Sequence, residues 1–314
     1  MLRPSLEIPP MLRSFAEIKD KVRSAGSRYH VAIPAGDDDA SVECAVDARR
    51  EGIAESILLG DGKKIESMIR GMGENPEGFE IVDLPDYTAC AVEAVRLIHA
   101  QKAQLILKGK LDTAMLLKAC LDKNTGLRTD RLLSDVFIFE DPIWDDRGGK
   151  LCGLTDGGIT PIPTLEQKRQ ILENAVEVFK KLGYETPKVA VMSATEKVNE
   201  RIVSTTDAKA LVDMNARGII KDCIVEGPLA MDVAALGWCA DMKGIPSKIA
   251  GSVDIMLFPS FEAGNCVAKV FVFYMKRQIG HVIMGAKAPI LINSRTDDSA
   301  LKLNSIALSI LAGL

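Results

Sequence analysis

Histidine is scarce, cysteine is scattered and neither sign of charge dominates. The three histidines, His30, His99 and His281, stand far apart in the chain. A histidine metal centre or a Ser-His-Asp triad has little to build on, so each imidazole is expected to be structural or on the surface. The seven cysteines, at 44, 90, 120, 152, 223, 239 and 266, include no CxxC pair and are odd in number. That spacing argues against a thiolate zinc cluster and a disulfide framework, and for a reducing compartment. No apolar run approaches the ~18 residues of a membrane span. The opening MLRPSLEIPPMLRSF lacks the apolar stretch of a secretory signal, so a cytoplasmic protein is expected. With 39 Lys+Arg against 43 Asp+Glu, a net charge of -4, blanket neutralisation of nucleic-acid phosphates is excluded. Any anionic ligand must be met by a local pocket.

What is present is an ordinary globular balance in 314 residues, 47% hydrophobic and 26% charged, which argues against wholesale disorder and a fibrous chain. At roughly 100–200 residues per domain, two domains are expected. Apolar strands alternate with amphipathic helices. Strands are predicted at Tyr29–Ile33, Ser56–Leu59, Leu105–Lys108, Val136–Phe139, Leu151–Leu154, Val189–Met192, Cys223–Val225, Ile255–Phe258 and Pro289–Ile292. Between them, helices are predicted at Asp37–Arg50, from about Thr113, from Thr164 to a stop at Gly183, from about Asp207 to Arg217, beyond Gly264, and at Ser299–Leu311. Thr164 with Gln167 reads as a capping box. The class is therefore α/β, with mostly parallel strands.

In such sheets ligands bind beyond the carboxyl ends of strands, where helix N-termini present unpaired N–H groups. Several turns of this kind carry chemistry. Lys108-Gly109, with Thr113 further on, could hold a phosphate, or Asp112 could simply cap a helix. Leu154-Thr155-Asp156-Gly157-Gly158 and Glu226-Gly227-Pro228 with Asp232 each put glycine and a carboxylate after a strand. Gly264-Asn265, expected at a helix start, offers close backbone approach and an amide, and Lys269 one turn on adds charge. Asn293-Ser294-Arg295-Thr296-Asp297-Asp298 crowds a hydroxyl, a guanidinium and two carboxylates before the last helix. Arg suits bidentate phosphate binding, Ser can bond an oxyanion, and Asp can accept a proton, although either Asp could instead cap the helix.

The ordered set Lys108-Gly109 with Thr113, Leu154-Thr155-Asp156 with Pro161 and Pro163, Val225 to Leu229 with Asp232, Gly264-Asn265 with Lys269, and Ser294-Arg295 resembles the phosphate acetyl/butyryl transferases. VDARREGIAESILLGD at 46–61, GLRT at 126–129 and KLNSIALSILAG near the end extend the likeness, the last toward the butyryl branch. The resemblance implies two three-layer αβα domains with mostly parallel sheets, isocitrate/isopropylmalate dehydrogenase-like, and an active site in an interdomain cleft. Residues 1–135 with 289–314 would form the first domain and 136–288 the second. It also implies a homodimer acting on acyl-CoA and orthophosphate to give acyl phosphate and coenzyme A, butyryl ahead of acetyl. Coenzyme A would be a co-substrate, with no bound cofactor and no metal required.

By the same resemblance Ser294 and Arg295 are catalytic, and Lys108, Gly109, Thr113, Asp156, Gly227, Pro228, Asp232, Gly264, Asn265 and Lys269 line the substrate site, with Arg128 a weaker candidate. One departure stands out. The acetyl branch carries an Asp seven residues after its Ser, read as the base for the thiol, and Leu301 occupies that position here. Either Asp297 or Asp298 takes the role, or the thiol is deprotonated another way, or the thiolate leaves and is protonated by solvent. A decarboxylating dehydrogenase would need a carboxylate metal cluster and a dinucleotide fingerprint, for which the sequence offers no convincing match. An inactive CoA or acyl-phosphate sensor is the remaining alternative.

Overall fold

The computed structural model describes residues 11–25, 29–294 and 297–313. They fall into two compact units. The first comprises the described residues of Phe15–Arg131 and Gly280–Leu314, the second those of Leu6–Ser14 and Leu132–Ile279.

Along the chain, the first unit begins with α1 (Phe15–Ser24), β1 (His30–Pro34), α2 (Asp39–Arg50), β2 (Glu55–Gly60), α3 (Gly62–Gly71), β3 (Glu80–Asp83), α4 (Tyr87–His99), β4 (Leu105–Leu107) and α5 (Thr113–Cys120). The second unit follows with β5 (Ser134–Glu140), β6 (Leu151–Thr155), α6 (Leu165–Lys181), β7 (Lys188–Met192), α7 (Val203–Ala216), β8 (Ile224–Leu229), α8 (Met231–Ala235), α9 (Gly237–Lys243), β9 (Ile255–Leu257) and α10 (Phe261–Phe273). Then β10 (Ile279–Met284), from Gly280 on, β11 (Ile290–Leu291) and α11 (Ser299–Gly313) complete the first unit.

In the first unit the strand order is β3-β2-β1-β4-β11-β10. All neighbours are parallel except β10 and β11. The chain moves outward from β1 to β2 and β3, then crosses back to place β4 on the other side of β1. The carboxyl ends of β1 and β4 therefore flank a topological switch point, where the two following loops diverge and leave a crevice. β1 and β2 are buried along almost their whole length, as strands covered on both faces must be. α11 packs on α1 and α2, and α4 packs on β1, β2, β4 and α5. Every residue of α11 from Leu301 to Ala312 is buried.

In the second unit the order is β5-β6-β9-β7-β8, with β5 antiparallel to β6 and the other neighbours parallel. Both halves of the Thr164–Gln167 capping box form, and Gly183 follows α6 with a φ of 88°. The buried face of α6 presents Ile171, Leu172, Ala175 and Phe179, each worth about 1.5–3 kcal/mol for a large side chain when fully buried. Phe179 meets Tyr184 edge-on at 5.0 Å.

Three elements differ from their sequence readings. α7 starts at Val203, not near Asp207, because the buried Thr205 hydroxyl donates to the carbonyls of Ile202 and Asn199 and fixes the first turn. Asp207 instead pairs at 2.7 Å with the buried Lys168. β8 runs through Gly227-Pro228 to Leu229, where a turn was expected after Val225, and its register against β7 shifts between Ala190 and Met192. α10 starts at Phe261, capped by the Ser260 hydroxyl on the Ala263 N–H, so Gly264 and Asn265 lie inside the helix and not at its start.

Candidate active site

A cavity of 460 Å³ occupies the switch-point crevice of the first unit. Its walls come from the loops after three parallel strands. Asp38 to Ser41 follow β1, Leu107 to Lys110 follow β4, and Asn293 and Ser294 follow β11. Lys302 of α11 completes the lining. Lys108, Gly109 and Ser294, singled out from sequence, thus come together from points nearly two hundred residues apart.

Gly109 is dictated by contact. A Cβ there would sit 2.3 Å from the Ala35 carbonyl oxygen and 2.6 Å from that of Pro34, so no larger residue lets the β4 loop lie against the β1 loop. The Lys110 N–H donates to the Ala35 carbonyl at 2.9 Å and holds the two loops together. Lys108 is half-buried, and its Nζ donates to the carbonyls of Gly109 at 3.2 Å and Leu111 at 3.1 Å. From β1, Asp38 caps α2 by accepting the Ser41 N–H and hydroxyl. The α2 N-terminus therefore opens onto the cavity, a position that favours anions.

Ser294 is fixed by Asp297, whose Oδ2 accepts the Ser294 N–H at 2.8 Å. Asp298 caps α11 through Oδ1, which accepts the Leu301 N–H at 2.8 Å. Both candidate bases thus hold backbone on one oxygen. Arg295 lies outside the described residues. Leu301, at the position of the acetyl branch's carboxylate, is buried in α11.

Two residues of this cavity escaped the sequence reading. Lys302 is 9% exposed and its ammonium makes no hydrogen bond or salt bridge among the described residues. Its charge is felt by neighbouring Cys44, whose thiol burial pushes up to about 12 while Lys302 pulls it down. Asn293 is also 9% exposed, and its Oδ1 is buried without a hydrogen-bond partner, an acceptor that a bound molecule would satisfy. A lone lysine inside the apolar run LKLNSIALSILAG was the available signal for Lys302. Asn293 stood within the 293–298 segment singled out from the sequence, but with no role assigned to it.

Thr113 and Arg128 do not line the cavity. Thr113 is the exposed first residue of α5, after Asp112, whose side chain makes no capping bond. Arg128 is exposed, on a segment bridged to Ala286.

In the second unit Asp156, Gly157, Gly264 and Asn265 form one corner beyond β6 and β9. A Cβ on Gly264 would stand 2.5 Å from the Asp156 carbonyl oxygen, and Asn265 Nδ2 donates to the Gly157 carbonyl at 2.9 Å. Asp156 accepts the N–H groups of Gly158, Ile159, Thr160 and Asp135. Burial pushes its carboxyl above the usual range, helped by the Asp135 carboxylate, while the N–H groups of Gly158, Thr160 and Ile159 pull it back. Its role here is to hold a turn. Lys269 extends toward Phe273, 5.7 Å from the ring. Gly227 packs 2.8 Å, measured to an added Cβ, from Val191, and Pro228 follows it through a cis peptide bond. Asp232, exposed at the start of α8, bonds Lys243, which holds its carboxyl below the usual range.

Among the described residues no group of three or more His, Cys, Asp or Glu is placed to hold a metal ion, and no helix is long and apolar enough to cross a membrane. His99, expected to be structural, places Nε2 3.1 Å from the carbonyls of Thr125 and Gly126.

Comparison with known proteins matches residues 86–310 to the family described as Phosphate acetyl/butaryl transferase. The phosphate butyryltransferase of Clostridium acetobutylicum is 38% identical over 96% of this chain and 98% of its own. The phosphate acetyltransferase of Thermotoga maritima is 37% identical over 90% of this chain and 95% of its own. Among solved structures, a branched-chain phosphotransacylase from Enterococcus faecalis superposes with a TM-score of 0.78 at 29% identity, covering 91% of this chain and 99% of that one. A 4-hydroxythreonine-4-phosphate dehydrogenase from Burkholderia phymatum reaches 0.57 at 14% identity, covering 91% and 98%, a likeness of fold that places the chain in the dehydrogenase-like α/β architecture.

Proposed function

We propose a reaction from one premise: the chain belongs to the phosphate acetyl/butaryl transferase family. It catalyses acyl transfer between coenzyme A and orthophosphate. A phosphate oxygen attacks the thioester carbonyl, the C–S bond breaks, and the CoA thiolate leaves and takes up a proton. The reverse step sends the thiolate onto the acyl phosphate. The observation that carries this reading is the convergence of Lys108, Ser294 and Lys302 on one cavity at the switch point, beside the α2 N-terminus.

In the proposal, Lys108 and Lys302 hold phosphate charge, and Ser294 donates a hydrogen bond to the reacting oxygens. Arg295 neutralises phosphate and the developing oxyanion, a contribution of about 3 kcal/mol or ~100-fold in rate. In the second unit Asn265 and Lys269 carry the family's remaining motif positions as substrate contacts, with Asp156, Gly227 and Pro228 shaping the loops behind them. No metal takes part, coenzyme A is a co-substrate and not a resident group, and the enzyme works in the cytoplasm. A homodimer is supported by the exposed apolar stretch Val270, Phe273, Tyr274 and Met275 at the end of α10. Butyryl is placed ahead of acetyl on the strength of KLNSIALSILAG and the buried Leu301, since the butyryl and acetyl relatives differ little in identity, 38% against 37%.

The test is to incubate the protein with acetyl-, propionyl-, butyryl- and longer acyl-CoAs, with and without phosphate, and follow free thiol. Phosphate-dependent release, fastest with butyryl-CoA, is expected. No release with any of them sinks the transferase reading, and fastest release with acetyl-CoA corrects the chain length alone.

A further inference from the structure

A larger cavity, 730 Å³, lies in the second unit, and nothing in the acyl-transfer reading uses it. Topology fixes its place. β6, β9 and β7 run parallel. Lys150 precedes β6, Lys188 opens β7 and Asp254 precedes β9, and all three line the cavity. It therefore sits at the amino ends of these strands. Asp156 and the α10 corner sit at their carboxyl ends. At about 3.3 Å per residue along β6, Lys150 and Asp156 are roughly 20 Å apart.

The lining is strongly cationic for a chain of net charge -4. Arg13, Arg147, Lys150, Lys180 and Lys188 face it, against only Glu185 and Asp254. The buried acid is already neutralised. Asp254 Oδ1 pairs with Lys150 Nζ at 2.8 Å, and Oδ2 accepts the Lys188 N–H at 2.8 Å. Lys150 also donates to the carbonyls of Ser252 and Val253, so that pair belongs to the architecture. Lys188, Lys180 and Arg147 keep donors in hand among the described residues. Lys188 Nζ meets one hydroxyl, Ser252 Oγ, at 3.0 Å, and Lys180 Nζ one carbonyl, that of Glu185, at 2.7 Å. An ammonium has three donors, so two on each lysine have no partner among the described residues. Arg147 lies over the Trp144 ring at 5.8 Å and makes no hydrogen bond among the described residues, which leaves its planar fork for a ligand.

Like charges gathered this way repel one another, so bringing Arg147, Lys180 and Lys188 together from three separate segments carries an electrostatic cost. A bound anion supplies the missing term. Arg offers bidentate contact to phosphate and Lys a compact charge, and the volume falls within the ~300–1,000 Å³ of small-molecule sites. We propose that this cavity binds a small molecule carrying a diphosphate group, at a site separate from the acyl-transfer residues. Binding of the diphosphate does not depend on the transferase reading; only its separateness from the acyl-transfer residues rests on that reading.

Calorimetric titration of the full chain at about 0.15 M salt, where non-specific surface attraction is screened, tests it with pyrophosphate, ADP, CoA and citrate. Pyrophosphate or ADP is expected to bind. The double variant Arg147→Gln with Lys188→Met is expected to weaken that binding at least tenfold while KM for acyl-CoA and for phosphate stay within twofold. ADP tighter than pyrophosphate by tenfold assigns a nucleotide, and equal affinity assigns the diphosphate alone. No binding at millimolar concentration overturns the proposal. So does binding that the double variant leaves unchanged, or citrate binding as tightly as pyrophosphate. A tenfold rise in KM for acyl-CoA would make the cavity part of the transfer site and overturn its separateness. If the double variant fails to fold, the exposed Arg147→Gln alone carries the same comparison with a threefold threshold.

Discussion

Replacing Lys302 by Met separates a substrate-binding cation from a structural one. The two side chains have similar length, so the cavity wall keeps its shape while its charge goes. Lys302 is nine-tenths buried in α11 and has no carboxylate within salt-bridge distance among the described residues. The fold therefore carries the desolvation of an unpaired cation with little return. A phosphate charge about 4 Å away, at an effective dielectric of ~20, would return about 4 kcal/mol before its own desolvation is counted. Loss of one preorganised donor usually removes about 2.7–4 kcal/mol from the transition state. The expected result is a fall in kcat/KM for phosphate of roughly 100-fold. The melting temperature should stay level or rise by roughly 2 °C, since the variant removes a penalty. Lys110→Met, at an exposed position on the same cavity, should lose less than tenfold. Steady-state thiol release with phosphate as the varied substrate, beside a thermal melt, measures both quantities. Activity within threefold of the parent refutes the assignment. A loss of activity that tracks a fall in melting temperature also refutes it, because Lys302 would then be a packing residue.

Three further outcomes follow from the same geometry. Gly264→Ala should destabilise the protein by about 1–3 kcal/mol, because its Cβ would meet the Asp156 carbonyl oxygen at 2.5 Å, and denaturant unfolding reads this directly. Asp297→Ala, which removes the acceptor that fixes the Ser294 N–H, should lower kcat about tenfold, whereas Asp298→Asn, whose amide oxygen still caps α11, should stay within threefold; a 100-fold loss in the second variant would identify Asp298 as the base. Thiol titration of the folded protein should modify Cys266 alone, since the other six cysteines are buried and burial pushes Cys44, Cys120 and Cys223 up to about 12. Raising the pH from 7 to 9 should leave those six unreactive, because burial shields them from the reagent and the thiols of Cys44, Cys120 and Cys223, near 12, remain protonated throughout that window. Reaction of several thiols before unfolding would refute the burial pattern.

Strands such as Val31–Ile33 and Leu105–Leu107 were legible because a parallel strand covered on both faces must be an unbroken apolar run. The Thr164–Gln167 box was legible because it satisfies its donors within one turn. Errors arose where distant contacts decide. Gly264-Asn265 reads as a helix start, but Gly264 is small to admit the Asp156 loop and the cap is Ser260. Gly227-Pro228 reads as a turn, yet β8 continues through it at the sheet edge. In the switch-point cavity the motif residues were legible one by one. Their meeting was not, since it depends on which strands become neighbours, and Lys302 becomes visible only when α11 is seen to be buried all round.

The first unit is interrupted in sequence by the second. On the ribosome, β1 to β4 emerge early but lack β11 beside β4 and α11 over α1 and α2 until Leu132–Ile279 has been made. At about 5–20 residues per second, that delay is roughly seven to thirty seconds. The later segment, Leu132–Ile279, is largely contiguous and can collapse as it appears. The order of folding is then the reverse of the order of synthesis, and the nascent first unit waits with an open strand edge for the last helix of the chain.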